Sequence, residues 1–408
     1  MLASLIPLFD EKMTVKAYSL FTQKANMLLN PALLGTGAND GAGTISGLEV
    51  IESMGIDTIS RDKEIFVSVN NISLFTDIDE QSKGVPHERL VILTDKSIKP
   101  TEMYINRLKE LKGSGYKLAI RKLQVNDFEP YKDILLLVDY VFLDNKKIDI
   151  SKAKIYFSKV YPNVKLVAGN VETTDIYDSL VAEGGYTLYE GAFYRLPVTK
   201  GVTEVAPLKI NYIELLNIVN DADFDLTKAA DIIGRDPALV LNLLQLVNKM
   251  SVNSEITSIR HAAAMLGQKE LKKWINLAVT NQLCADKPNE ITRVSLLRAK
   301  FAENLAACFD RAGLASEYFL MGLFSVIDII LDMPMAEALK KVKVSKQIEN
   351  ALVDGKGEFY DALDFVCQYE SANWGEVDRI MLLSNMDSDA VYDAYCSSLT
   401  WYRDLFRS

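Results

Sequence analysis

Short apolar runs alternate with stretches of helical period over the first half of the chain. The runs at residues 15–21, 65–69, 90–94, 118–121, 138–143, 164–168 and 186–189 predict strands. The stretches between them, such as 101–112, 149–160 and 173–182, have the spacing of amphipathic helices. Strands that are apolar nearly throughout and alternate with helices are typical of a parallel sheet covered on both faces. Repetition of this unit over about 200 residues predicts a compact (β/α) barrel.

The strand pattern stops after residue 197, and the segment 198–208, with its Pro, Gly and Thr residues, is typical of a linker. Beyond it, helices are predicted at 212–220, 226–233, 238–249, 259–266, 269–282, 294–312 and 316–331. Pro237 at a helix start and Gly267 at a helix end agree with these bounds. We therefore predict an α/β domain at residues 1–203 and an all-α domain at residues 204–408.

Aromatic residues are frequent near the C-terminus and fall at helical spacing. This spacing favours positions in the core of the helical domain, and a surface that meets a partner is the alternative. The residues concerned are Trp374, Tyr392, Tyr395, Trp401, Tyr402 and Phe406.

The amino-acid composition limits the kinds of catalysis, metal binding and partners that can be expected. The 408 residues include two histidines, His87 and His261, and four cysteines without a C-x-x-C pair, which argues against imidazole-based catalysis and a zinc site. The formal net charge of −10 does not favour a broad nucleic-acid-binding face. The sequence reaches Asp10 before a signal-peptide core can form, and it contains no apolar stretch of membrane-spanning length. We therefore expect a cytoplasmic protein with no membrane or nucleic-acid partner.

Two local patterns resemble nucleotide or nucleic-acid motifs. The glycine-rich segment 35–47 lacks a G-K-[ST] sequence and has Asp40 at the third glycine of G-x-G-x-x-G, so we expect a flexible loop rather than a phosphate site. The predicted helices on either side of Gly267 have the general shape of a helix-turn-helix, and the second carries Lys269, Lys272 and Lys273. A two-helix corner is common in helical domains, and the acidic chain argues against DNA binding.

The first half resembles the EAL-type cyclic-di-GMP phosphodiesterases, and the second half resembles HDOD domains. The segments that carry the first resemblance are PLFD (7–10), AYSLF (17–21), VNNIS (69–73), GYKLA (115–119), LVAGNVET (166–173) and EGAFYRLP (190–197). Those that carry the second are IGRDPAL (233–239), LLQLVN (243–248), SIRHA (258–262), MLG (265–267), RAKF (298–301), FLMGLFS (319–325) and QYE (368–370). Their order implies a bacterial EAL–HDOD signalling protein, with a degenerate EAL-type barrel before a helical HDOD domain.

The resemblance also implies where the phosphodiesterase chemistry would stand. Such enzymes hold Mg²⁺ or Mn²⁺ with carboxylates and an Asn at the C-terminal ends of the barrel strands, since these hard cations prefer oxygen ligands. Three of these positions keep a suitable residue: Asn70, Asp144 and Glu172. The substituted positions are Ser19 for the signature glutamate, Leu93 or its neighbour for the second glutamate, Arg121 and Lys122 for paired aspartates, Phe142 for a lysine and Gly169 for the general-base glutamate.

These substitutions change the charge of the site. Arg121 and Lys122 place two positive charges where divalent cations would sit, and like charges a few ångströms apart repel by roughly 4 kcal/mol at an effective dielectric constant near 20. We therefore expect no metal, no cofactor and no hydrolysis. The two side chains are either paired with nearby groups at an inactive site or bind an anionic ligand such as a phosphate. In the helical half, Ser325 and Val326 stand at the His-Asp dyad of HD hydrolases, a departure that HDOD domains share.

The leading hypothesis is a non-enzymatic signalling protein that acts through other signalling proteins. The alternative is a metal-independent receptor for cyclic-di-GMP or another nucleotide, in which Arg121 and Lys122 contact phosphate. An active phosphodiesterase with a rearranged site is the third hypothesis. A homodimer is left open.

Overall fold

A computed structural model describes residues 1–23, 44–195, 207–221, 223–250, 256–285, 287, 289–342 and 344–405. The chain divides into two compact units. The first contains Met1–Leu196, Asn304–Ala315 and Asp364–Ser408, and the second contains Pro197–Glu303 and Ser316–Leu363. This grouping differs from a single cut after residue 203, because two later segments pack with the N-terminal half. The predicted linker at 198–208 lies outside the described residues up to 206.

Eight strands form a closed barrel in the first unit; the sequence predicts the barrel and seven of these strands. They are β1 (Leu2–Phe9), β2 (Val15–Gln23), β3 (Glu64–Ser68), β4 (Leu90–Thr94), β5 (Lys117–Ile120), β6 (Tyr140–Asp144), β7 (Lys165–Gly169) and β8 (Leu188–Glu190). Neighbours from β2 to β8 pair in parallel. Strand β1 closes the barrel by pairing antiparallel with β2 and β8. The C-terminal ends of the parallel strands therefore share one mouth.

Strand β1 is the one strand among the described residues that the sequence analysis did not predict. Its sequence is apolar without alternation and contains Pro7, which obscures a strand pattern. The lack of alternation has a structural cause, because nearly every residue of β1 is buried. A helix from the C-terminal segment packs on this strand, and the backbone N–H of Ala3 donates a hydrogen bond to the Tyr369 hydroxyl at 3.2 Å.

The barrel interior is filled by side chains that alternate along the strands. This layer consists of Leu8, Ala17, Phe66, Val91, Leu93, Ala119, Tyr140, Phe142, Val167 and Leu188. Because successive side chains point to opposite faces of a strand, the next inward position lies two residues nearer the mouth. Those inward positions include Arg121 beyond Ala119 and Glu190 beyond Leu188. The residues that end the parallel strands therefore decide what lies at the mouth.

Helices cover the barrel. Before residue 195 they are α1 (Ser46–Met54), α2 (Ile56–Ser60), α3 (Ile78–Gln81), α4 (Glu102–Gly113), α5 (Lys132–Leu135), α6 (Ile150–Val160) and α7 (Thr174–Glu183). Of the glycine-rich segment 35–47, residues 35–43 lie outside the described residues. The loop prediction does not hold for its end, because Gly47 lies in α1, where an added Cβ would meet the Val67 side chain at 2.6 Å.

The helices that follow are α8 (Pro207–Val219), α9 (Leu226–Ile233), α10 (Pro237–Met250), α11 (Ile259–Leu283), α12 (Asn289–Leu305), α13 (Ala315–Phe324), α14 (Ile327–Leu331), α15 (Met335–Lys341) and α16 (Lys346–Glu349). Helix α11 contains the predicted break, since Gly267 has a φ of +74° within it. Helix α13 approaches α12 closely at Gly322, where an added Cβ would lie 2.4 Å from the Arg298 carbonyl oxygen.

Three C-terminal helices, α17 (Glu358–Glu370), α18 (Trp374–Leu383) and α19 (Ser388–Leu405), lie wholly or mostly within the segment that groups with the barrel. The sequence analysis favoured positions in the core of the helical domain for the aromatic residues of this segment. That expectation is wrong, because the segment groups with the barrel unit. Tyr369 is fully buried, and its ring contacts those of Trp374 and Tyr395 at centroid distances of 5.4 and 4.9 Å. Phe406 lies outside the described residues.

The four cysteines are free thiols. Within the described ranges, no helix has the length and apolar character needed to cross a membrane.

Candidate functional site

A buried ion pair lies at the mouth of the barrel. Arg121, which follows β5, donates from Nη2 to Oε1 of Glu190 at the end of β8, over 2.9 Å. The other carboxylate oxygen of Glu190 accepts a hydrogen bond from the Ser19 hydroxyl at 3.2 Å. The side chains of Arg121 and Glu190 are only 19% and 9% exposed. The structure therefore brings together two substituted positions, Ser19 and Arg121, around a carboxylate.

Two aromatic rings enclose the guanidinium group. Its central carbon lies 5.0 Å from the ring centroid of Phe21 and 5.0 Å from that of Phe142. A cation over an aromatic face is attracted by the ring quadrupole. The positive charge of Arg121 is thus balanced by one carboxylate and two rings. Its Nη1 atom is buried and has no hydrogen-bond partner among the described residues.

Lys122 pairs with a different carboxylate from the one that binds Arg121. Its Nζ lies 3.0 Å from Oδ2 of Asp95, the residue that follows β4. Burial acts to raise the pKa of Asp95, but hydrogen bonds from the Ser97 N–H and from Lys122 to the ionised carboxylate hold that pKa below its usual value. The Lys122 side chain is 60% exposed. Both candidate ligand-binding cations are therefore engaged by carboxylates.

The three retained positions serve local structure. The Asn70 side-chain oxygen accepts from the backbone N–H groups of Ile72 and Ser73, which fixes the turn after β3. Asp144 accepts from the Lys146 N–H at 3.0 Å and from the side-chain amide of Asn170 at 2.8 Å.

Lys146 contacts both retained carboxylates, Asp144 and Glu172. Its Nζ pairs with Glu172 at 2.6 Å, while its backbone N–H bonds Asp144. The Glu172 side chain is more than half exposed. Lysines therefore occupy the carboxylates that the family resemblance assigns to metal.

Apolar packing accounts for two further substituted positions. Leu93 and Phe142 belong to the layer that fills the barrel, where Leu93 is buried. Gly169 ends β7 and pairs in register with Asp144. None of these three residues has a carboxylate that could bind a metal ion.

The residues at the mouth do not fit a divalent cation. A site for Mg²⁺ or Mn²⁺ needs several oxygen ligands that converge with free lone pairs. Here Glu190 binds a guanidinium group, and Asp144 and Glu172 bind lysine or backbone donors. Among the residues that the structure describes, no cluster of three or more His, Cys, Asp or Glu side chains could hold a metal ion.

Glu190 is the residue that sequence reasoning missed at this site. It stands in the EGAFYRLP segment used for the family resemblance, but no role was assigned to it. The sequence did offer a signal for it, because Glu190 is an acidic residue at the end of an apolar strand and Arg121 ends another predicted strand. Close packing fixes its position, because a Cβ added to the next residue, Gly191, would lie 1.8 Å from the Val171 carbonyl oxygen.

The helical unit has no hydrolytic dyad at the corresponding position. The Ser325 hydroxyl donates to the Gly322 carbonyl oxygen at 2.7 Å and lies 3.2 Å from Nη1 of Arg298. Val326 is buried. Nearby, burial raises the pKa of Asp328, and the charge of Arg298 acts to lower it. This cluster holds α12 and α13 together.

Comparison with known proteins supports the division of the chain. Residues 206–356 match the HDOD domain family. The chain is 28% identical over 413 residues to the uncharacterized protein YuxH of Bacillus subtilis, covering 98% of this chain and 97% of that protein. It is 26% identical over 329 residues to a protein of Vibrio cholerae named cyclic di-GMP phosphodiesterase CdgJ, covering 79% of this chain and 75% of that protein.

Among solved structures, the chain is similar to the EAL-like domain protein YdiV. The match has a TM-score of 0.36 and 12% sequence identity, and it covers 47% of this chain and 89% of that one. The matched HDOD segment begins where the barrel ends. The chain therefore contains an eight-stranded closed barrel, followed by a region that is similar to the HDOD domain family.

Proposed function

We propose that this protein is a cytoplasmic regulator in cyclic-di-GMP signalling that acts by contacts with other signalling proteins and does not hydrolyse the dinucleotide. The observation that carries the proposal is the Arg121–Glu190 pair, enclosed by Phe21 and Phe142. The signalling context is supported by the similarity to the Vibrio cholerae protein named as a cyclic di-GMP phosphodiesterase.

The chemistry of phosphodiester cleavage supports the absence of activity. Metal ions in such sites activate water and neutralise the charge that develops on phosphate oxygens. A guanidinium group can neutralise phosphate charge, but it cannot supply a metal-bound hydroxide. The general-base position is Gly169, which has no side chain to accept a proton. The glycine at this position and the lysine-paired carboxylates of Asp144 and Glu172 therefore support a protein without phosphodiesterase activity.

A turnover assay tests this proposal. The full chain is incubated with cyclic-di-GMP and either Mg²⁺ or Mn²⁺, and linear product is measured by chromatography with mass detection. We expect no product above the protein-free blank. Product formation that disappears in an Asp144→Ala variant would overturn the proposal, because a contaminating enzyme would not respond to that change.

A cyclic-di-GMP receptor is the second candidate. It is favoured by the buried Nη1 of Arg121, which has no partner in the described part of the chain and is suited to a phosphate oxygen. Calorimetry without metal separates the two candidates. Saturable heat that is lost in Arg121→Ala supports the receptor, whereas no heat at high micromolar ligand supports the first proposal.

The protein partner is tested by reciprocal capture. The tagged full chain should retrieve a signalling protein from its native cells, and that protein, tagged in turn, should retrieve this chain. Failure in both directions would contradict action by protein contacts.

A further inference from the structure

A second candidate site lies in the helical unit, outside the barrel. A cavity of about 340 Å³ is lined by the residue that follows α8, by residues of α11, α12 and α13, and by residues around the start of α16. We call it the Lys272 cavity and define it by Asn220, Lys272, Lys273, Asn276, Glu317 and Phe319. Its volume falls in the range of small-molecule sites, roughly 300–1,000 Å³.

The ammonium group of Lys272 is the unusual feature of this cavity. The side chain is partly buried, and no carboxylate oxygen of the described residues lies within ion-pair distance of its Nζ. Burial lowers the pKa of Lys272, and Glu317 acts electrostatically to raise it without forming an ion pair. A positive charge that is partly removed from water without a counter-ion is unfavourable. An anion in the cavity would compensate it.

Lys273, which lines the same cavity, is matched differently. Lys273 lies 3.4 Å from Oε1 of Glu303, and Lys300 lies 2.7 Å from Oε2 of the same carboxylate. Glu303 is therefore shared by two lysines and does not serve Lys272. Lys273 also lies 5.8 Å from the ring centroid of Phe319.

Two amide side chains add hydrogen-bonding groups. Asn220 donates from Nδ2 to Oδ1 of Asn276 at 3.4 Å, and Asn276 is buried. The Oδ1 atom of Asn220 is buried and has no partner in the part of the chain that the structure describes. A buried acceptor of this kind calls for a donor such as a hydroxyl or amino group. Phe319 supplies an apolar wall on the same cavity.

We propose that the Lys272 cavity binds a small phosphate monoester of mononucleotide size, with its phosphate at Lys272 and a hydroxyl or amino donor at Asn220. Lysine is a compact charge suited to phosphate, and the apolar wall suits a ring system rather than an inorganic ion. The lysines of α11 that resemble those of a DNA-reading helix thus contribute to a small-molecule site. The proposal is independent of the barrel mouth.

Calorimetry with adenosine monophosphate and adenosine tests the proposal on the full chain. We expect saturable binding of the monophosphate at one site per chain and at least roughly tenfold weaker binding of adenosine, as expected for a hydrogen bond between charged groups. Lys272→Met should weaken binding of the monophosphate by roughly tenfold, whereas Lys272→Arg, which keeps the charge, should retain most of it. The matched control is Lys249→Met, at an exposed lysine of α10 that does not line the cavity.

Two outcomes would overturn the proposal. The first is no saturable heat with adenosine monophosphate at millimolar concentration. The second is equal affinity in Lys272→Met and Lys249→Met, which would place any binding elsewhere. Circular dichroism and the thermal unfolding midpoint of each variant verify that it is folded, and the charge-retaining Lys272→Arg variant separates loss of charge from loss of packing.

Discussion

Removal of the Glu190 charge tests whether the mouth of the barrel is held by a buried ion pair. In a Glu190→Gln variant the shape of the side chain is kept, and its oxygen can still accept a hydrogen bond from Arg121. The guanidinium charge then loses its only carboxylate contact within the described ranges. The expected effect is a loss of stability in the barrel unit.

The size of the effect follows from burial. Breaking a buried ion pair by removing one partner costs about 3–5 kcal/mol, because the other charge remains away from water. This pair is largely but not fully buried, with exposed fractions of 19% and 9%, so the lower end of that range applies. The rings of Phe21 and Phe142 still attract the guanidinium group, each by about 0.5–2 kcal/mol. We therefore expect about 3 kcal/mol of destabilisation, the lower end of that range.

Urea unfolding followed by tryptophan fluorescence provides the assay. The protein has two units, so a single transition for the whole chain would not be a defined quantity. A Trp274→Phe background removes the tryptophan of the second unit and leaves Trp374 and Trp401, which both belong to the barrel unit. The remaining fluorescence change reports that unit.

A double-mutant cycle with Arg121→Met makes the test specific. Each single variant leaves one largely buried charge unpaired, but the double variant leaves none, so it should lose less stability than the sum of the two single variants. The matched control is Glu172→Gln in the exposed Lys146–Glu172 pair, which should change stability by less than about 0.5 kcal/mol. Additive single effects, with a coupling below about 0.5 kcal/mol, would refute the reasoning.

Three further predictions concern other parts of the chain. Tyr369→Phe leaves the N–H of Ala3 without its acceptor and should destabilise the barrel unit by about 1–3 kcal/mol in the same fluorescence assay; an unchanged transition would exclude this hydrogen bond. The lowered pKa of Asp95 means that the unfolded chain binds the proton more readily, so its contribution to stability is present above the ordinary pKa of 3.8 and is lost as the pH falls through the lower folded value. Unfolding measured below about pH 4 should therefore depend less steeply on pH in Asp95→Asn, and equal slopes would contradict the lowered pKa. Gly322→Ala forces a methyl group against the Arg298 carbonyl oxygen and should cost at least about 1–3 kcal/mol, seen as faster hydrogen–deuterium exchange in the helical unit but not in the barrel.

The strands and helices that the sequence predicted correctly are those with a clear period and clear ends. Residues 90–94 and 226–233 match β4 and α9 at both ends, because the first is a continuous apolar run and the second is bounded by Asp225 and Gly234. Strand β1 escaped prediction because Pro7 interrupts its apolar run, and proline is rare inside a strand. The grouping of α18 and α19 with the barrel depends on contacts between residues more than 350 positions apart, such as Gln23 with Asp378, and a local pattern carries no such information.

The sequence could predict which residues are substituted at the candidate site, but it could not predict which carboxylates pair with Arg121 and Lys122. Family resemblance identified Arg121 and Lys122 and left two alternatives for them, a paired state and an anion site. Local sequence could not choose, because the partners Glu190 and Asp95 lie on other strands. The structure supplies these partners, while whether the site also accepts an anion or acts on one stays a prediction.

Charge compensation distinguishes the two candidate sites. Arg121 is largely buried against a carboxylate and two rings, so the folded chain already compensates most of its charge and only Nη1 is left for an anion. Lys272 is partly buried and lines the same cavity as the unsatisfied Asn220 oxygen, and no ion pair within the described ranges balances its charge. Binding at Lys272 therefore gains an interaction without breaking one. On this reasoning, a small anion should bind the helical unit more readily than the barrel mouth, although the family resemblance directs attention to the barrel.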